Sequence, residues 1–180
     1  EPIAAQNIHP NYYAMGLQSE TGGDVEEAIA NFEIAAEDGS KDAMYSLGRL
    51  ARDVQNDTSK AASWFHAAAE RGDVFAQIEL AVLYLRGVST VSSDPDRDNA
   101  RYWLEAAVQR DTEGRAAFLL FQLESAPKLA IEWLQKSADL GYPEAMGQLS
   151  NLYRRGAGGL PRNLALSQAW ARKKTSAMSD

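Results

Sequence analysis

No cysteine occurs in the 180 residues, which excludes thiol catalysis, disulfides and sulfur-ligated zinc together. It leaves the compartment open, because a chain without cysteine tolerates any redox environment. Histidine is almost as scarce, with only His9 and His66. No apolar run approaches the roughly 18 residues that a membrane-spanning helix needs. Positive charge is in deficit: 18 Lys and Arg stand against 25 Asp and Glu, for a net charge of -7. Phosphate backbones repel such a surface, so nucleic acid is not an expected partner. The cations gather once, at Arg172, Lys173 and Lys174, where they are expected to complement the last turn of a final helix. What remains is ordinary globular material, 45% hydrophobic and 24% charged, enough for one domain with a real core.

The main signal is an internal repeat. Around Trp64 the chain reads Ala61, Trp64, Ala68, Gly72, Ala76, Leu80, Ala81, Tyr84, Gly87. The same offsets return as Ala130, Trp133, Ser137, Gly141, Ala145, Leu149, Ser150, Tyr153, Gly156. A third copy, with Asn31 in the tryptophan's place, runs Ala28, Asn31, Ala35, Gly39, Ala43, Leu47, Gly48. A fourth keeps Ala100, Trp103 and Ala107 but has Asp111 where the glycine belongs; a last half-copy holds Ser167 and Trp170. The tryptophan-type positions 31, 64, 103, 133 and 170 are separated by 33, 39, 30 and 37 residues. Fixed offsets within units and variable lengths between them are what surface-loop insertions into a solenoid produce. The long step comes from the stretch Gly87 to Pro95, and the short one from a trimmed loop at Leu123 to Pro127.

Each unit parses as two helices. Ala76, Leu80 and Tyr84, like Ala145, Leu149 and Tyr153, follow i, i+4, i+8 and therefore helical spacing. Ala61, Trp64, Phe65, Ala68 and Ala69 form one face of the second helix. Gly39, Gly72 and Gly141 are expected to reverse the chain between helices as left-handed caps. Gly48, Ala81 and Ser150 mark places where two helix backbones pass closely. The tryptophans, sharing one repeat position, are expected in the core.

The pattern Ala-x3-Leu-Gly-x2-Tyr-x2-Gly followed by Ala-x2-Trp-x3-Ala-x3-Gly resembles the Sel-1-like repeat, a relative of the tetratricopeptide repeat, over roughly residues 11–174. Trp64 to Gly87 and Trp133 to Gly156 match best; residues 112–124 match poorly. The resemblance implies an all-α fold, a right-handed α-α superhelix (solenoid) of about five antiparallel helix pairs. It implies work as an adaptor, scaffold or inhibitor; some bacterial members serve envelope assemblies, exopolysaccharide export or immunity against secreted toxins. The expected layout is an N-terminal extension at 1–9, a repeat domain at 10–176 and a tail at 177–180.

Chemistry is thin. His66, behind Trp64 and Phe65, reads as a surface residue without a metal partner, and His9 as a helix approach. Asp94, Asp96 and Asp98 resemble the start of a calcium loop with Glu105 at position twelve, but Asn99 stands where the glycine is needed. Helix capping by Asp94, with Pro95 at the first helical position, is the better account, as is capping by Asp24 of a helix from Val25 to Asp38. Gly156-Ala-Gly-Gly159 lacks the Gly-Lys-Ser/Thr ending of a phosphate loop and reads as a flexible link. No enzyme class, metal or cofactor is expected.

A protein or peptide partner is expected instead. By analogy with tetratricopeptide registers, the concave-face positions are Tyr13, Leu17, Tyr45, Arg49, Arg52, Phe75, Ile78, Val82, Leu85, Phe121, Asn151 and Arg154. Phe75, Ile78, Val82 and Leu85 form a second apolar stripe on a helix whose core stripe is already supplied by Ala76, Leu80, Leu83 and Tyr84. Such a helix is covered on both sides or awaits a partner. The readings that follow are a scaffold or adaptor of the bacterial envelope, or an immunity protein whose acidic surface suits a basic toxin. Sugar stacking on the tryptophans is the third. The polar start Glu1 to Gln6 reads as the mature terminus left by a removed signal segment, hence a periplasmic or other extracytoplasmic setting, with the cytoplasm as alternative. Oligomeric state is not legible.

Overall fold

In the computed structural model, residues 10–87 and 95–179 are described, and among them there are ten helices and no strand. The chain divides between Asp73 and Val74 into two units. The first holds α1 (Tyr12–Thr21), α2 (Val25–Glu37), α3 (Lys41–Asp53) and α4 (Thr58–Glu70). The second holds α5 (Val74–Arg86), α6 (Arg97–Ala107), α7 (Arg115–Leu123), α8 (Pro127–Asp139), α9 (Pro143–Arg155) and α10 (Leu164–Ala177). Within each unit every helix packs against its neighbour in the chain.

Helix starts are written locally. Asn11, Asp24, Ser40, Asp57, Asp96 and Asn163 each accept a hydrogen bond from the backbone N–H three residues on, at 2.9–3.2 Å. This satisfies one of the donors that a helix N-terminus leaves without an internal partner. Pro127 and Pro143 open α8 and α9, where a missing N–H costs nothing. Asp24 caps α2 as its position suggests. The expected cap at Asp94 is corrected: Asp96 caps α6 and Pro95 precedes that cap, because the Asp96 carboxylate is the one within reach of the Asn99 N–H. Asp94 itself, His9 and residues 88–94 of the long loop lie outside the described residues.

The turns hold as expected, with Gly39, Gly72 and Gly141 at φ of 91°, 75° and 98°. The fourth unit, which lacks that glycine at Asp111, solves the turn differently. Asp111 is buried, and its carboxylate accepts from the N–H groups of Glu113, Gly114 and Ala116 at 2.9, 3.2 and 2.7 Å. The glycine is displaced by three residues, to Gly114 at φ 78°. A Cβ there would stand 2.6 Å from the Ser137 carbonyl, and the Ser137 hydroxyl donates to the Gly114 carbonyl at 2.7 Å.

The core is organised around one repeat position that the tryptophans do not occupy. Trp64, Trp103, Trp133 and Trp170 are only half-buried. The next residue along, Phe32, Phe65, Leu104 or Leu134, is completely covered. The expected tryptophan core is thereby corrected: these rings lie at the edge, Trp133 and Trp170 beneath the ammonium groups of Lys136 and Lys173 at 5.5 and 4.4 Å. Facing Phe32 and Phe65 are glycines of the preceding helix. A Cβ on Gly16 or Gly48 would meet the opposing ring at 2.5 or 2.6 Å. In the second unit Ala81 and Leu104, both fully buried in one cluster, stand at the equivalent positions.

Candidate functional site

Helical register places the candidate positions on first helices, but the surroundings sort them differently. In the first unit Tyr13 and Tyr45 lean over Phe32 and Phe65, ring centroids 5.7 and 5.8 Å apart, so half of each ring serves packing. Arg49 is ion-paired with Glu20, tying α3 to α1. Arg52 holds Asp53 at 2.7 Å while its guanidinium lies over the Phe65 ring. Its hydrogen bond keeps the Asp53 carboxyl below the usual carboxylate range. Leu17 alone in this set projects freely, at 41% exposure.

In the second unit the stripe on α5 is broken. Ile78 is 1% exposed and packs with Ala81, Leu104 and Leu120, so it presents nothing to a partner. The reason is angular: Ile78 lies three residues before Ala81, on the side from which α6 and α7 approach. Phe75 is 45% exposed and Val82 half-buried, and seven residues on a helix bring these two back to one face. Leu85 is half-buried against the same core cluster, and Phe121 against Phe118 at 5.8 Å. Glu79, beside this face, is paired with Arg115 of α7 at 2.6 Å. Asn151 and Arg154 are exposed and bonded to each other at 2.8 Å.

The residues that suggested chemistry go to structural tasks. His66 does have a carboxylate one turn on: Glu70 Oε1 is 3.6 Å from its Nδ1, both exposed, a pair that spacing alone reveals. Among the described residues no three His, Asp or Glu side chains group as metal ligands. Asp96 and Glu124 are held below the usual carboxylate range, chiefly by the backbone N–H of Asn99 and of Ala126 respectively. Burial raises the Tyr142 phenol, helped by the Glu144 charge. These are capping and packing arrangements. Lys174 falls in the last turn of α10 as expected, but the helix continues to Ala177, leaving Arg172 and Lys173 within it.

Among the described residues each unit has a cleft of about 440 Å³. One, in the first unit, is lined by Tyr12 and Tyr13 with the Asp38–Ser40 turn. The other, in the second unit, lies between α8 and the Gly158–Leu160 turn. Sequence reading missed the latter because its two sides are about 30 residues apart, and because the Gly156–Gly159 run reads only as a link. Among the described residues no helix is long and apolar enough to cross a membrane.

Comparison with known proteins agrees with this architecture. The family model of the Sel1 repeat matches residues 11–40, 41–73, 74–111, 116–142 and 143–173, one helix pair each. A Sel1 repeat protein from Oxalobacter formigenes is similar in structure, with a TM-score of 0.81 at 19% identity, covering 92% of this chain and 72% of that one. A protective antigen of uropathogenic Escherichia coli strains, described as displaying an SLR fold, gives 0.76 at 24% identity over 92% of this chain and 38% of the other. No protein of curated function matches the sequence. At these identities the neighbours show the fold, an all-α helical repeat superhelix. With five matched repeats, and ten helices in five pairs among the described residues, the chain belongs to the Sel1 repeat family.

Proposed function

We propose that the chain is a non-catalytic protein-binding module, an adaptor or scaffold of the bacterial cell envelope, which holds a protein or peptide on its first helices. The observation that carries this reading is the face of α5. Exposed Phe75 and half-buried Val82 present apolar surface on one face of α5, beside half-buried Arg115, whose charge is paired with the buried Glu79. Sel1 repeats commonly mediate contacts between proteins. The carboxylates with lowered pKa, Asp53, Asp96 and Glu124, sit in helix caps and local pairs, and the raised Tyr142 phenol is displaced chiefly by burial.

Leu85, Phe121, Asn151 and Arg154 of the second unit belong to this reading as secondary contacts; Ile78 does not, and Leu17, Tyr13, Tyr45 and Arg52 are contacts of the first unit taken by itself. A second reading, an immunity or inhibitor protein, is favoured by one feature. Residues 10–40 contain seven carboxylates and neither Lys nor Arg, which suits a basic target. Replacing Phe75→Asp together with Val82→Thr is expected to abolish capture of a partner from native lysate while helicity stays intact. Unchanged capture would remove α5 from the binding face. Retained capture that disappears on charge reversal at Glu26 and Glu33 would favour the inhibitor reading.

A further inference from the structure

The last repeat inverts the charge of the molecule. Residues 143–179 carry six cations, Arg154, Arg155, Arg162, Arg172, Lys173 and Lys174, against the single carboxylate of Glu144. Among the described residues none of the six has a carboxylate within 4.0 Å. Unpaired like charges repel one another, a cost that an anionic partner relieves.

The cleft of about 440 Å³ in the second unit lies between α8 and the Gly158–Leu160 turn, which belongs to this cationic repeat. Its apolar lining comes from Pro127 and Ile131 of α8 and from Leu160. Gly158 and Gly159, at φ of 66° and 81°, let the turn run past without side chains that would fill the space. Gly158 comes so close to Ile131 that a Cβ would stand 3.2 Å from its Cδ1. Lys128 and Gln135 supply polar edges; Glu132 is the one acid at the rim. Arg155 and Arg162 flank the same turn in the chain and add two cations to a lining in which Lys128 and Glu132 balance each other.

We infer that this cleft is a docking site for an acidic peptide segment of a partner protein, one that inserts a bulky apolar side chain against Ile131 and Leu160. The apolar floor selects for a peptide side chain over a phosphate polymer, which has nothing to place there. The cations favour acidic flanks and speed encounter at low salt. The site is independent of the α5 face proposed above.

The test uses a fluorescein-labelled peptide with a central Leu-Phe pair flanked on both sides by three Asp or Glu residues, followed by anisotropy against the full chain at low salt. Binding is expected, and it should weaken about tenfold or more when Gln135→Trp fills the cleft, or when Lys128→Glu and Arg162→Glu reverse the exposed charges. The same peptide with Ala in place of Leu-Phe, or with Lys flanks, should not bind. Phe75→Asp with Val82→Thr should leave the peptide affinity unchanged, which separates this site from the other. Absence of binding overturns the inference, as does affinity indifferent to Gln135→Trp. Displacement of the peptide by anionic vesicles or duplex DNA as readily as by unlabelled peptide overturns it too.

Discussion

The two units build the same helix-to-helix contact from different side chains. In the first, a backbone-thin glycine, Gly16 or Gly48, receives a phenylalanine, and a tyrosine one turn earlier covers the ring. In the second, Ala81 stands opposite Leu104 at the equivalent positions, and Ser150 donates to the Ser167 carbonyl at 2.8 Å. Volume is conserved across the contact while its chemistry changes, as close packing demands. Charge behaves the other way: residues 10–40 have only carboxylates and residues 143–179 nearly only cations. Positions where the units agree in shape hold the fold, and positions where they differ are free to serve contact.

The same substitution should therefore have opposite signs in the two units. Gly48→Ala drives a Cβ against the Phe65 ring and is expected to destabilise by about 2–3 kcal/mol, partly recovered by Phe65→Leu, which imitates the second unit. Gly147→Ala meets only the flexible end of Lys174, nearest at 3.3 Å, and should stabilise by about 0.5–1 kcal/mol through helix propensity. Urea unfolding of the three variants checks both; equal losses at Gly48 and Gly147 would break the comparison.

Capping offers a sharper contrast of intermediate size. Buried Asp111 satisfies three backbone donors, so Asp111→Ala is expected to cost about 2 kcal/mol or more. Exposed Asp24 satisfies one, and Asp24→Ala should cost about 1 kcal/mol. Thermal melts that rank them in reverse would show that Asp111 is not what closes the fourth turn.

The repeat, its five copies and its helical phasing were legible from spacing, because core positions recur. The tryptophan was misjudged: a conspicuous residue marks register, yet the inconspicuous Phe65, Leu104 and Leu134 beside it carry the burial. Ile78 misled for a related reason. An apolar stripe on a helix looks the same whether a neighbouring helix covers it or not, and only the approach of α6 and α7 decides. Phe75 keeps its exposure on that stripe, whereas the cleft near Ile131 and Leu160 leaves no trace in the sequence, since no local pattern joins α8 to a glycine-rich turn so far along the chain.

The smallest expected effect is the pH dependence. Asp53 in the first unit, and Asp96 and Glu124 in the second, have folded pKa values below their unfolded ones. Their contributions are present above the ordinary carboxylate range and lost as pH falls through the lowered folded values, below about pH 4. Tyr142, raised by burial, contributes below pH about 10 and loses that contribution as pH rises through its folded value. Melting temperature against pH should fall at both ends, and Tyr142→Phe should remove the part of the alkaline loss that Tyr142 contributes.

The distinction between shared and unshared positions is tested most directly by site-specific photo-crosslinking in native lysate. A photoreactive residue at Phe75 on α5 is compared with one at Ile34 on α2, two sites of similar exposure, 45% and 38%. A discrete protein adduct is expected from position 75 and none from position 34. Adducts from position 34 alone, or none from either, would contradict the assignment of partner binding to the first helices.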